Sequence, residues 1–580
     1  MNIKTKRLIL IALLIILSAL EIFAYQSKGV FAVAASRAWL VFGGVVLVMS
    51  LYVSGKAIIQ DIRERNWFSL VILAGITVVM FWGVGNIGLN AMNDEATIQV
   101  ADGLTALKAA DFNYTGTGYG IYPARQFVLM ALPTAVLGRS QFALQIGFVF
   151  ALLLGFTVAY AGLRKYFVER IKTKPLYAAV ALLACLTFPY FINYMFVRDQ
   201  AIISAAFIMQ AIGWLCLIKR ERSVISFACF AWVCAMMATS FTAGFAGWGL
   251  ALVFLAIMAV RFWKSKARNA EKNKHLLPVI TSVFVYILVF GLMSFLMLRQ
   301  TQGQSFNADR ANYVADTINA LRLIFLGDPV PYIAPFFVLP VGVYFVLSLT
   351  GLLGYKNFIT VLWALATVFA AVNFKGSGLA RVDHTILRTL IIIPVITVMM
   401  SITVIKIVKK YIKPAPEEEA KGEGRFFSGL PLLRLPKAII INILIIIVIA
   451  CNIFWSKSVP NQWDHYRNDD SRVASYIAFD IQKTMEKHGK QSNKVLFFKG
   501  GGRDLLGRIC KYSAPEADIT VLGGNDQAPD GLDLDKLILI YADMDGNIPH
   551  DLILRYGEPE IVKFMSNGVE QQYKRIDLGP

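Results

Sequence analysis

The chain has 580 residues, 57% of them hydrophobic and only 16% charged, with a mean hydropathy of +0.58. Such totals exclude an ordinary soluble enzyme and call for several apolar helices of membrane-spanning length. The net charge of +19 is uneven: residues 1–454 carry 41 Lys+Arg against 19 Asp+Glu, whereas 455–580 carry 16 against 19. The basic excess therefore belongs to the apolar part, where the positive-inside rule explains it, and nucleic acid is not the partner it points to.

In chain order the apolar runs predict spans at 8–26, 37–57, 67–89, 142–163, 176–196, 200–218, 224–245, 246–262, 277–298, 333–350, 357–373, 386–405 and 437–455, about thirteen transmembrane helices. With the N-terminus in the cytoplasm, the inner segments hold 29 Lys+Arg and the outer loops 12. This asymmetry predicts a multi-pass plasma-membrane protein with an extracytoplasmic C-terminus. The expected organisation is a membrane domain over 1–455 and a soluble domain over 456–580.

Loop 90–141 lies outside in this topology and is too long for a plain connector. It opens on Asp94-Glu95 in NAMNDEATIQVADG. Val100, Leu104 and Leu107 then recur at helical spacing, which predicts a short amphipathic helix at the interface. DFNYTGTGYGIYP is a Gly/Tyr loop, and ARQFVLMALPTAVLG reads as a second interfacial or re-entrant helix. Loop 299–332 carries a similar stripe of Val314, Ile318, Leu321 and Phe325. The inner segment KKYIKPAPEEEAKGEGR is a charged linker with the composition of a flexible one.

After the last span the pattern changes. SRVASYIAFDIQKTMEKHG is helical, while KVLFFKG, DITVLGG and KLILIYAD read as strands and PHDLILRYG lies between elements. A small α/β domain is expected. KGGGRDLLGR invites a phosphate-loop reading but lacks the Lys-Ser/Thr ending, and a tight strand-to-helix turn accounts for it. Six cysteines, five of them in apolar runs and none in a CxxC pair, give no disulfide framework or zinc site.

Acidic residues are nearly absent from the middles of the spans and gather at their outer ends: Asp94, Glu95, Asp102, Asp111, Asp199, Asp309, Asp316, Asp328 and Asp383. Arg125, Arg198, Lys375, Arg381 and Arg388 lie on the same side. An ion-coupled transporter concentrates ionisable groups in mid-membrane instead. Carboxylates suit hydroxyl activation and guanidinium groups suit phosphate, so the pattern describes a polar cavity for a phosphate-bearing substrate at the outer surface.

Three elements together resemble the GT-C superfamily of membrane glycosyltransferases, in particular the protein O-mannosyltransferase and lipid A aminoarabinose transferase types. They are Asp94-Glu95 with YPARQFVLMALPTAVLG and SQFALQIGFVFALLLGFTVAYAGLRKYF; the outer turn NYMFVRDQAII; and GLARVDHTILRTLIIIP at an outer helix start. The likeness is diffuse and covers about two thirds of the chain. It departs from the family pattern in two additional leading spans, in Tyr122-Pro123-Ala124-Arg125, and in Thr389 after Arg388.

The resemblance implies an all-α polytopic bundle with a C-terminal α/β domain. It also implies transfer of a sugar from a polyprenyl-phosphate donor to an extracytoplasmic hydroxyl, with inversion. Asp94 would orient or deprotonate the acceptor, with a helix cap as the plainer alternative. Glu95 would hold the loop or meet a substrate, and Asp199 is the second acidic candidate, with pairing to Arg198 as its alternative. Arg388, Arg381, Lys375 and Arg125 would bind the donor phosphate; otherwise they are interfacial anchors. Tyr119, Tyr122 and His384 would line the sugar site, although Tyr at an interface is also a common anchor. No metal ligand is assigned, since the acids lack a clear Asp-x-Asp arrangement, and a divalent cation is the one cofactor left open. The competing classes are a glycan flippase or other transporter, which mid-span charges or inverted repeats would favour, and an O-antigen-type ligase or polymerase, which a large late outer loop would favour.

Overall fold

The computed structural model describes residues 30–86, 94–110, 128–188, 200–221, 224–240, 392–411, 469–488, 493–500, 505–523, 537–543, 545–566 and 569–578, together with a few single residues. The described part is mostly helical and ends in a β-sheet. It forms two compact units. The first joins 1–79, 152–194 and 204–462; the second joins 80–151, 195–203 and 463–580.

The first unit contains α1 (Val30–Arg63) and α2 (Trp67–Phe81). The predicted span 37–57 lies inside α1, which at 34 residues is about 51 Å long and overruns a hydrocarbon core of about 30 Å. Its exposed positions Val41, Val45, Val48, Tyr52, Ile59 and Ile62 form an apolar stripe, continued on α2 by Phe68, Val71 and Val78. Water does not tolerate apolar faces of this extent, and lipid does. A tight turn joins the two helices, with Arg65 left-handed at φ 57 and the Asn66 N–H returning to the Asp61 carbonyl at 2.9 Å.

The second unit begins with α3 (Asp94–Ala109) and α4 (Val128–Leu137). Next comes α5 (Gln141–Tyr166), which starts in the second unit and ends in the first, closing through a π-helical turn at Phe167–Ile171. Back in the first unit are α6 (Leu176–Leu186), α7 (Gln200–Glu221, entering from the second), α8 (Val224–Ser240) and α9 (Ile392–Tyr411). Among the described residues two helical stretches, Leu40–Arg63 and Gln141–Ile171, are long and apolar enough to cross a membrane. The predicted spans 8–26, 246–262, 277–298, 333–350, 357–373 and 437–455 lie wholly or mostly outside the described residues.

One predicted span is corrected. The run 176–196 is not one helix: α6 stops at Leu186, and helical bonding resumes with the Ile192 N–H to the Phe188 carbonyl at 2.9 Å. Pro189 has no N–H to give and disfavours helical geometry in the residue before it. The Thr187 hydroxyl takes the Leu183 carbonyl at 2.8 Å, which satisfies part of the broken end.

Helix packing in the first unit uses small residues. A β-carbon on Gly162 would lie 2.1 Å from the Gly213 carbonyl oxygen, so α5 and α7 touch backbone to backbone there. This is the close approach that apolar helices use when no hydrophobic force separates protein from lipid. The C-terminal end of α5 is fixed by charge. Asp61 is fully buried and receives Arg164 Nε at 2.8 Å, Asn66 Nδ2 at 2.9 Å and the Tyr160 hydroxyl; Arg164 Nη2 also meets Glu64 at 2.5 Å.

The rest of the second unit is an α/β domain: α10 (Asp469–His488), β1 (Lys494–Lys499), α11 (Leu506–Ser513), β2 (Asp518–Gly523), β3 (Leu537–Ala542), α12 (His550–Tyr556), β4 (Glu560–Ser566) and β5 (Val569–Asp577). The expected helix and three strands are present; PHDLILRYG forms α12, and the β4–β5 hairpin is additional. Strand order is β2-β1-β3-β5-β4, parallel over the first three and antiparallel over the last two pairings. β1 and β3 are buried on both faces, as continuous apolar strands must be. Val495, Phe497, Leu539 and Tyr541 pack with α10 and α11, while Leu496, Phe498, Ile540 and Ala542 pack with Leu552 of α12.

Candidate functional site

The interfacial helix expected after the acid pair is α3, and Asp94 and Glu95 are its first two residues. Val100 and Leu104 of the predicted stripe are buried, and burial extends to Ile98 and Ala106 and to the polar Thr97 and Gln99. More of α3 is enclosed than an interfacial helix requires, because it packs on α4 on one side and on α11 of the α/β domain on another.

Arg139 and Ser140, between α4 and α5, hold that arrangement. The Arg139 guanidinium donates to the Lys511 and Tyr512 carbonyls at 3.3 and 3.0 Å, at the C-terminal end of α11. Those carbonyls have no partner within the helix, and the helix dipole favours a cation there. Burial lowers the Arg139 pKa from its usual value, with Tyr512 and Glu516 opposing the shift. Gln482 of α10 donates to the Arg139 carbonyl. The Tyr512 hydroxyl donates to the Ser140 carbonyl at 2.9 Å and lies 3.1 Å from the Thr134 hydroxyl. Its single proton is committed to Ser140, so Thr134 donates to it. Burial pushes Tyr512 up to about 12, which keeps it protonated at any physiological pH. Ser140 caps α5 in turn, its hydroxyl accepting from the Ala143 N–H at 3.1 Å.

On the neighbouring surface Gly147 of α5 lies so close to α4 that a β-carbon would sit 2.1 Å from the Met130 carbonyl oxygen. Asp102, one of the outer-end acids noted in the sequence, is partly buried on α3; burial pushes it up to about 6, opposed by the Lys511 ammonium on α11. The glycine-rich segment after β1 is occupied by acids: the Gly500 N–H donates to Asp543 Oδ1 at 2.9 Å, and a β-carbon on Gly500 would meet Asp545 at 2.2 Å. Carboxylates at that amide repel a phosphate.

Of the sequence candidates, Asp94 and Glu95 are placed at the head of α3. Asp199, Arg125, Tyr119, Tyr122, Lys375, Arg381, His384 and Arg388 lie outside the described residues. Among the described residues no group of three or more His, Cys, Asp or Glu is arranged to hold a metal ion. The residues that sequence reasoning missed are Thr134, Arg139, Gln482 and Tyr512.

No protein-family model matches the chain, and no curated protein matches it. Two solved structures align along most of it. One is the crystal structure of ArnT from Cupriavidus metallidurans bound to undecaprenyl phosphate, with 11% identity, 87% of this chain and 97% of that chain covered, and a TM-score of 0.47. The other is the arabinofuranosyltransferase AftD from Mycobacteria, with 13% identity, 89% of this chain covered and the same TM-score; the chain spans 40% of its length. A TM-score below 0.5 does not establish a shared fold, and neither likeness assigns a role to a residue of this chain. The acid-headed helix α3 and the frame around it make up the candidate site.

Proposed function

We propose that the chain is an integral plasma-membrane glycosyltransferase that moves a sugar from a polyprenyl-phosphate donor to an extracytoplasmic hydroxyl. Residues 1–455 would form the catalytic membrane domain and 456–580 the outer domain. The observation that carries the reading is the position of Asp94-Glu95: the pair heads a helix enclosed by α4 and α11, in a unit made of the first large outer loop and the α/β domain. An acid meant only to stop a transmembrane helix needs no such frame.

In the proposed reaction the acceptor oxygen attacks the anomeric carbon from the face opposite the phosphate. The C–O bond to the lipid phosphate breaks, the phosphate leaves with the bonding pair, and the Asp94 carboxylate takes the hydroxyl proton. The negative charge growing on the leaving phosphate requires cations. Arg388, Arg381, Lys375 and Arg125 are proposed for that role, with Asp199 as a second acid and Tyr119, Tyr122 and His384 lining the sugar.

Transfer from defined polyprenyl-phosphate sugars, measured in membranes containing wild type or Asp94→Asn at matched expression, tests the assignment. The expected result is a loss of about 100-fold or more in the variant, the scale of general-base catalysis. Full transfer by Asp94→Asn would sink the base assignment. No transfer by the wild type from any lipid-linked donor would remove the class.

A further inference from the structure

The α/β domain lies hundreds of residues from Asp94 in sequence, yet its helix α11 is packed on the helix that Asp94 begins. The attachment is specific in its chemistry. Tyr512 is fully buried and Thr134 nearly so. A buried hydroxyl left without a partner is destabilising, so Thr134 needs Tyr512, and Tyr512 serves both Thr134 and the Ser140 carbonyl. Tyr512 is also a donor that never titrates in the physiological range. One phenol thus holds α4 through Thr134 and the α4–α5 corner through the Ser140 carbonyl, while Arg139 reaches from that corner to the Tyr512 carbonyl and Gln482 donates to the Arg139 carbonyl. Phe479 of α10 stacks edge-on against the Tyr512 ring at 6.4 Å, fixing it from within the α/β domain.

We infer that the C-terminal domain is a positioning device for the outer loop, in which the Tyr512 hydroxyl, bridging Thr134 and the Ser140 carbonyl, sets where α4 and therefore α3 and its leading acid Asp94 stand. The inference rests on the glycosyl-transfer reading for its catalytic consequence. Tyr512 is a positioning residue: its bonds go to α4 and the corner, and α4 in turn packs on α3. A base must lie within hydrogen-bond reach of the proton it takes, and a displacement of about 1 Å costs up to about 100-fold in rate. A domain that removes the freedom of α3 raises turnover without touching substrate.

The test uses the full chain in lipid nanodiscs, with polyprenyl-phosphate sugars as donors and hydrogen exchange of residues 94–109 as a readout that needs no activity. Tyr512→Phe keeps the ring and removes the hydroxyl with both its bonds; Thr134→Val removes the α4 bond alone. Both variants are expected to lower kcat about tenfold, leave the donor KM within about twofold, and speed exchange in 94–109. The double variant is expected to be no worse than Tyr512→Phe alone, since the hydroxyl that Thr134 meets is already gone there. Wild-type kcat and wild-type exchange in both variants overturn the inference. So does a fall in thermal stability with exchange raised everywhere and kcat per folded molecule unchanged, which marks a purely structural bond. If wild type transfers sugar from no lipid-linked donor, the function reading fails and takes the kinetic consequence with it. Exchange in 94–109 that stays at the wild-type level overturns the tether itself.

Discussion

Two arginines organise the two units of this chain, and they do so differently. Arg164 is buried and meets carboxylates, Asp61 fully and Glu64 partly, with the Tyr160 hydroxyl and Asn66 completing the shell of Asp61. Arg139 is half-buried and meets the dipolar carbonyls of a helix end. A buried carboxylate without its cation is intolerable, whereas a carbonyl without its cation can turn to water. Arg164 is a lock, and Arg139 belongs to a mount that tolerates change.

The largest effect should come from breaking the lock. Arg164→Met leaves Asp61 as an uncompensated buried charge and is expected to lower stability by about 3–5 kcal/mol. Thermal unfolding of the purified protein in detergent would show it. Pairing the change with Asp61→Asn should recover much of the loss, because the orphaned charge goes with it. A single variant as stable as wild type would erase the distinction between the two arginines.

A charge network inside the α/β domain sharpens the comparison from the other side. Asp480 of α10 accepts the Tyr541 hydroxyl at 2.7 Å and lies 3.3 Å from Arg575 Nε; Arg575 also meets Asp577 at 2.8 Å and donates to Thr484 at 3.2 Å. Burial, and next the Asp480 carboxylate, push the Tyr541 hydroxyl well above its usual value, so it remains a donor. Asp480 and Arg575 keep about a fifth of their side-chain surface in water. Asp480→Ala should therefore cost less than Arg164→Met, about 1–3 kcal/mol, from the buried phenol that loses its acceptor. Urea unfolding of the full chain followed by tyrosine fluorescence would measure it, and a cost equal to that of Arg164→Met would mean that exposure does not soften the penalty.

How much of this was legible in the sequence depends on whether the signal is local. The helix at 469–488 and the strands β1 and β3 were readable because an amphipathic repeat and apolar runs bounded by polar residues need no distant partner. The body of α3 was readable for the same reason from Val100 and Leu104, while its start at the acid pair itself is added by the structure. The break after Leu186 was written in Pro189 and was overridden by the length of the apolar run. β4 and β5 were missed because EIVKFMS and VEQQYKRID mix charge into a hairpin at the sheet edge, where polar residues are tolerated. The inner lock was half visible: the cations were counted as topology signals, and Asp61 was not weighed as their partner. Tyr512 and Thr134 stand 378 residues apart, and no pattern in one sequence connects them. Of the candidate site itself, only the Asp94-Glu95 pair falls on described residues.

The smallest expected effect concerns Asp102, which lies on the packed face of the mount and is pushed up from 3.8 to about 6 by burial, with Lys511 opposing. An acid whose pKa is higher in the folded chain binds its proton more tightly there than when unfolded. Between about pH 4 and 6 the folded state therefore holds more protons, and stability falls as pH rises through that window, levelling off above it. Asp102→Asn carries no charge at any pH and should lose this dependence. Its melting temperature should match the wild type near pH 4 and exceed it by a few degrees from pH 6 upward, where the wild-type carboxylate is ionised against its surroundings. The Asp61–Arg164 lock predicts the reverse sign, since Asp61→Asn takes the buried carboxylate away from the Arg164 guanidinium. If Asp61→Asn stabilised the chain at neutral pH and Asp102→Asn did not, lock and mount would have exchanged places.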